Sequence, residues 1–167
     1  MIGPMAAKSQ KDDKKDEQGR VAVNKKAYRN FELAENFQAG VSLLGSEVKS
    51  LRAGTADLSG SYARVDNNQC WLVGAQIAQY EQAGSRQHEP ARKRKLLLHK
   101  SEIRRIRIKL EQRGFTLVPL QIYFNKRGLV KIDLALARGK RQYDKRRTIT
   151  ERDQRRDVDR DMKKYRK

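Results

Sequence analysis

The sequence predicts a mainly β domain, an antiparallel barrel that is closed or nearly closed and carries small α-helices. Three observations predict it. Residues 116–124 and 130–136 alternate apolar side chains with other residues on either side of Asn125-Lys126-Arg127-Gly128, the pattern of a long hairpin with a basic tip. Tyr62-Ala63-Arg64-Val65 and the stretch from Cys70 to Tyr80 flank a second turn-forming cluster, Asp66-Asn67-Asn68-Gln69. Helical spacing is confined to short stretches. Five or six short strands with few helices suit a barrel better than a parallel sheet.

Taken in order, Met1 to Arg20 is polar, mixed in charge and without periodicity, so residues 1–20 are expected to be a disordered extension. The folded body is expected over residues 21–138. Val21-Ala22-Val23 is a short strand candidate, and Phe31, Leu33, Phe37 and Val41 suggest a second strand with one apolar face. Leu44, Val48 and Leu51 switch to helical spacing, which Gly54 stops. Glu81 to Lys95 has no periodicity and reads as a long loop ending in Arg92-Lys93-Arg94-Lys95, followed by Leu96-Leu97-Leu98. Ser101 is placed to cap a helix with Ile103, Ile106 and Leu110 on one face, stopped at Gly114, while Arg104, Arg105, Arg107, Lys109 and Arg113 occupy the other faces. In the long hairpin, Thr116, Val118, Leu120, Ile122 and Phe124 are expected on one face of one strand, and Val130, Ile132, Leu134 and Leu136 on one face of the other.

Residues 139–167 form a basic tail. From Arg138 onward there are fourteen Lys or Arg against six Asp or Glu, and the sizeable apolar side chains are Tyr143, Ile149, Val158, Met162 and Tyr165. So little apolar surface cannot offset an ordering entropy of roughly 1–2 kcal/mol per residue. Helix signals are nonetheless present: Thr148-Ile149-Thr150-Glu151 reads as a capping box, and Val158, Met162 and Tyr165 fall at i, i+4, i+7. The tail therefore reads as a helix that forms only on a polyanionic partner.

The chain has 167 residues and a formal net charge of +19, which points to nucleic acid, with an anionic membrane surface as the lesser alternative. No apolar run approaches the roughly 18–20 residues of a bilayer helix, and charged residues begin at Lys8 with no apolar leader before them, so a cytoplasmic setting is expected. One cysteine, Cys70, permits no internal disulfide. His88 and His99 have no partners at metal-ligand spacing, no Gly-rich phosphate loop follows a strand, and no Ser sits in a nucleophile elbow. The expectation is a binding protein with no catalytic residues, metal or cofactor. Aromatic residues beside the basic clusters, Tyr28, Phe31, Tyr123 and Tyr143, have the shape to stack on bases, although Phe31 and Tyr123 read equally as core.

Three motifs occur in order: Gly45-Ser46-Glu47-Val48-Lys49-Ser50-Leu51-Arg52-Ala53-Gly54, then Arg94-Lys95-Leu96-Leu97-Leu98, then Gly139-Lys140-Arg141-Gln142-Tyr143-Asp144-Lys145-Arg146. With Asn24-Lys25-Lys26-Ala27 before them, they closely resemble the SsrA-binding protein (SmpB) family of bacteria, over about residues 21–167. The resemblance implies an OB-fold-like antiparallel β-barrel with small α-helices and a C-terminal tail that becomes helical on binding. It also implies partners: the tRNA-like domain of transfer-messenger RNA, and ribosomes stalled without a stop codon, where the protein stands in for the anticodon arm of a tRNA. The RNA then accepts the nascent peptide and encodes a degradation tag, in the process called trans-translation. No membrane and no small-molecule substrate are implied.

Carried over position by position, the resemblance places Asn24, Lys25, Lys26, Glu47, Lys49, Arg52, Arg92, Arg94, Lys95, Leu97 and Lys131 on the face that binds the tRNA-like domain. The cations suit phosphates. Glu47 either accepts from a base or holds Arg52, or is simply an acid favoured at a helix start. Leu97 either packs under the basic loop or touches RNA. Gly139, Lys140, Arg141, Tyr143, Asp144, Lys145 and Arg146 fall to the ribosome, at the decoding centre (small-subunit rRNA) and mRNA channel, with Gly139 as the hinge from barrel to tail. Gln38 stands where the family leads one to expect an acid. The competing reading is a ribosomal protein or general RNA chaperone without a specific tRNA-like partner.

Overall fold

The long hairpin organises the molecule. In a computed structural model describing residues 19–84 and 87–140, β8 (Phe115–Phe124) and β9 (Val130–Gly139) pair along nearly their whole length. The other strands are β1 (Arg20–Val23), β2 (Phe31–Val41), β3 (Ala56–Asp57), β4 (Tyr62–Asp66), β5 (Gln69–Val73), β6 (Gln76–Ile77) and β7 (Arg94–Leu97). Antiparallel pairings run β8, β4, β5, β7, β2, β9, and the β8–β9 pairing closes that ring. β1 is added beside β8, and β3 pairs with β6 separately. Among the described residues three α-helices decorate the barrel: α1 (Lys25–Asn30), α2 (Gly45–Arg52) and α3 (Lys100–Leu110).

The core is divided in two by bulges. Phe37, Ala39, Leu72, Leu96, Leu117, Ile122, Ile132, Leu134 and Leu136 fill the barrel interior together with Leu51 of α2 and Ile106 of α3. Ala27 of α1 instead covers Val118, Leu120, Ala135 and Ala137 on the outer side, with Phe31 and Leu33 packed against them. The expectation of one apolar face per strand is therefore corrected in β2 and β8. Register shifts between Leu33 and Glu35 and between Pro119 and Gln121 flip the side-chain parity, so each strand feeds both clusters. Pro119 has no N–H to give a ladder, which suits it to that irregularity. In β9 the expected alternation holds: Ile132, Leu134 and Leu136 all point inward.

Other boundaries moved for identifiable reasons. β1 starts at Arg20, one residue inside the expected extension. The loop ending at Lys95 is shortened by a 3-10 turn, Glu81–Ala83, and by β7 starting at Arg94. His99 rather than Ser101 precedes the first turn of α3, and its N–H donates to Glu102 Oε2 at 2.8 Å. Helix α1 lacks a full apolar stripe and was not foreseen. The β4–β5 turn closes on Asn67 and Asn68, both left-handed (φ 47° and 56°), as a two-residue hairpin requires.

Candidate nucleic-acid interface

A buried ion cluster sets the geometry of the basic surface. Glu47, on the first turn of α2, is fully buried, and its carboxylate accepts from Leu44 N–H at 2.7 Å, Arg92 Nε at 2.8 Å and Arg94 Nε at 2.8 Å. A second Arg92 nitrogen pairs with its other oxygen. Arg94, equally buried, spends its remaining donors on the carbonyls of Ala75 (2.7 Å), Pro90 (2.8 Å) and Arg92 (3.1 Å). Burial alone would push the Glu47 carboxyl up, but the bonds from Arg92, Leu44 and Arg94 outweigh it and hold it below the usual carboxylate value. Burial pulls Arg94 down, against the opposing pull of Glu47. Arg94 stays charged.

His88 reinforces this joint. It is buried, with Nδ1 3.0 Å from Ser46 Oγ and Nε2 3.2 Å from the Ile77 carbonyl. That carbonyl can only accept, so Nε2 carries a proton. Together Glu47, Arg94 and His88 bind α2, β6 and the segment before β7 into one piece. On its outside are the exposed residues Lys49, Arg52 and Lys93, with Arg92 and Lys95 half-buried, and Lys49 Nζ lies 5.2 Å from the centre of the Tyr80 ring.

Asn24 plays the same part for α1. Its Oδ1 accepts from Ala27 N–H at 3.0 Å, capping the helix, while Nδ2 donates to Leu58 and Pro119 carbonyls at 3.2 and 3.1 Å. Both polar ends are used, and the residue is buried. Lys25 and Lys26 project from the helix it fixes, and Lys26, after the stronger hydrogen bonds from Ser59, helps hold the Asp57 carboxyl down.

The strands bring a third group together. Leu97, Gly40, Lys131 and Tyr123 are consecutive register partners across β7, β2, β9 and β8. Leu97 is 55% exposed, so the reading that it packs under the basic loop is corrected. A Cβ on Gly40 would lie 3.3 Å from Leu97 Cβ, and glycine leaves that room. In the adjacent row Gln121 Nε2 donates to Asp133 Oδ2 at 2.7 Å and Tyr123 Oη to Asp133 Oδ1 at 3.3 Å, while Gln38 Nε2 donates to Tyr123 Oη. Asp133 thus places a carboxylate beside Gln38, and Tyr123 lies on this outer network rather than in the core.

Of the residues assigned to direct RNA contact, Asn24, Glu47 and Arg94 are buried and hydrogen-bonded to protein partners. Glu47 holds Arg92 and Arg94, not Arg52. Gly139 is the last residue of β9, paired with Phe31, and its φ is not left-handed. Lys140 follows, its N–H bonded to Asn30 O at 3.0 Å, so the chain leaves the barrel beside α1. Arg141, Tyr143, Asp144, Lys145 and Arg146, with the conditional tail helix, lie outside the described residues, as does most of the 1–20 extension. Sequence reasoning missed His88 as a structural residue. Its spacing to Ser46 and Ile77 carries no local signal.

Among the described residues no three His, Cys, Asp or Glu side chains gather to hold a metal, and no helix is long and apolar enough to cross a membrane. The family model described as SmpB protein matches residues 21–164. The SsrA-binding protein of Trichodesmium erythraeum is 50% identical over 146 residues, covering 87% of this chain and 93% of that one. That of Chlorobaculum tepidum is 51% identical over 142 residues, covering 85% and 90%. A solved chain described as "tmRNA-SmpB: a journey to the center of the bacterial ribosome" aligns with a TM-score of 0.63 at 48% identity, covering 76% of this chain and 92% of that one. With the family model spanning most of its length and relatives half identical across it, this chain belongs to the SmpB protein family.

Proposed function

We propose that the protein binds the tRNA-like domain of transfer-messenger RNA (SsrA RNA) and delivers it to stalled ribosomes for trans-translation. The observation that carries this reading is the rigid basic surface of a family member: exposed Lys25, Lys26, Lys49 and Arg52, with Arg92, Lys95, Leu97 and Lys131, set on buried Asn24, Glu47 and Arg94. Cations carried on elements that buried side chains hold in place suit a folded RNA of fixed shape, because phosphate contacts set its position. The protein acts as a binding partner in the cytoplasm and performs no catalysis. Its parts divide the work: residues 1–20 are an extension, residues 21–138 hold the RNA, and residues 139–167 enter the ribosome. There Gly139, Lys140, Arg141, Tyr143, Asp144, Lys145 and Arg146 meet the decoding centre and the rest of the tail becomes helical in the empty mRNA channel.

Affinity purification of the protein from cells lysed without RNase tests the reading. One tRNA-like RNA enriched over bulk rRNA and tRNA is the expected result. Recovery of those RNAs in proportion to their abundance would instead mark a ribosomal protein or general RNA chaperone.

A further inference from the structure

Trp71 is the chain's single tryptophan. Its neighbours in β5, Cys70 and Leu72, are 0% and 1% exposed inside the barrel, so strand alternation turns the indole outward, where it is half-buried. Across the sheet its register partners are Arg64 on β4 and Lys95 on β7. The three form an outward row of cation, indole, cation. Above it opens a recess of about 340 Å³ lined by Arg64, Asp66, Asn67, Gln69, Trp71 and Lys93. Asp66 pairs with Arg64 at 3.4 Å, and the Arg64 side chain stays 45% exposed. The left-handed turn brings Asn67 to the same wall. On its other flank, Asn68 joins Lys100, Arg104 and Arg107 of α3 around a second basic recess.

A flat ring framed by cations, with amide groups from Asn67 and Gln69 at its edge, has the chemistry of a nucleotide site. The indole offers a face for a base, the cations meet phosphate, and the amides can hydrogen-bond a base edge. The volume lies near the small end of ligand sites, which start at roughly 300 Å³, and suits one nucleotide. Lys95 links this recess to Leu97, the next outward residue of β7, and so to the surface assigned above to RNA.

We propose that the recess is a stacking site for one unpaired nucleotide of the tRNA-like RNA, its base on Trp71 and its flanking phosphates on Arg64 and Lys93. The proposal rests on the RNA partner proposed above, and its test separates the two. Labelled tRNA-like fragment is titrated with full-length protein while fragment anisotropy and Trp71 emission are read together. Because Trp71 is the sole tryptophan, emission reports this recess alone. The expected result is quenching that saturates with the same midpoint as anisotropy. Trp71→Ala should bind about 10–100-fold more weakly and Trp71→Phe only a few-fold, and Arg64→Ala and Lys93→Ala should each lower the salt slope by about one. Circular dichroism confirms folding, and Trp71→Leu keeps an apolar strand residue if Trp71→Ala does not fold. Rising anisotropy with unchanged emission, or a Trp71→Leu variant that binds as wild type, overturns the stacking site and leaves the RNA reading standing. Quenching by ribosomes but not by the fragment overturns the assignment to this RNA. Absence of any binding overturns both.

Discussion

Glu47→Gln is the most informative single change in the barrel. It keeps size and an oxygen that can accept from Leu44 N–H, but removes the charge that Arg94 is buried against. Arg94 is 0% exposed, and its Nε–Glu47 bond is 2.8 Å, so no water replaces the lost partner. Breaking a buried ion pair from one side costs about 3–5 kcal/mol. Domains of this kind have about 5–15 kcal/mol of stability, and each kcal/mol shifts Tm by about 4 °C for a folded body between the 100- and 150-residue classes, so a fall of about 12–20 °C is expected. Thermal unfolding followed by circular dichroism reads it directly. The charge also sets a pH dependence. Folding depresses the Glu47 pKa from the ordinary 4.5, so its contribution is complete above that value and is lost as pH falls through the folded pKa. Wild type should lose this stability below about pH 4.5 while Glu47→Gln, already lacking it, loses less over the same range. Replacing the pair together, Glu47→Leu with Arg94→Met, should recover only part of the loss, because the charge of Arg94 is gone but Arg92 loses its carboxylate and the Ala75 and Pro90 carbonyls lose their donor. A Tm fall under about 3 °C for Glu47→Gln would refute the claim that the pair holds the surface together.

Other consequences can be checked in the same preparations. Asn24→Ala removes the cap of α1 and two carbonyl partners, and should cost about 1–3 kcal/mol in denaturant unfolding. Cys70, 0% exposed and with burial pushing its thiol up to about 11, should resist a thiol reagent at pH 8 in the folded protein and react only on unfolding. Arg52→Ala and Lys131→Ala should weaken RNA binding without unfolding the barrel and reduce the salt slope by about one each, read from log K against log salt. Truncation after Lys140 should leave binding of the isolated tRNA-like RNA nearly intact while abolishing tagging on stalled ribosomes. Equal loss of both would contradict a division of labour between barrel and tail.

Much of the barrel was legible because period-two alternation is a local signal. Strand β2 was foreseen from Phe31 to Val41, and β9 shows the expected inward face. The bulges were not legible, since an extra residue at Ala34 or at Leu120 leaves the apolar pattern superficially regular while sending Val118 and Leu120 to the opposite side from Ile122. Helix α1 escaped because six residues with only Ala27 buried have no readable stripe. At the candidate interface, sequence pattern found the charges but not their depth. Lys93 and Arg94 look equivalent in a basic run, yet strand alternation exposes one and buries the other against Glu47. The cluster is built from residues 45 and 47 positions apart, Arg92 and Arg94 with Glu47, so local spacing could not show it.

Competition binding reaches the central claim most directly: full-length protein holding labelled tRNA-like fragment, challenged with excess unlabelled elongator tRNA at near-physiological salt. Both RNAs carry the same backbone charge per nucleotide, so with the competitor matched in nucleotides a preference reports recognition beyond phosphate alone. The fragment should stay bound and be displaced only by itself. Equal displacement by both RNAs would contradict the claim and reduce the basic surface to a general anchor for nucleic acid.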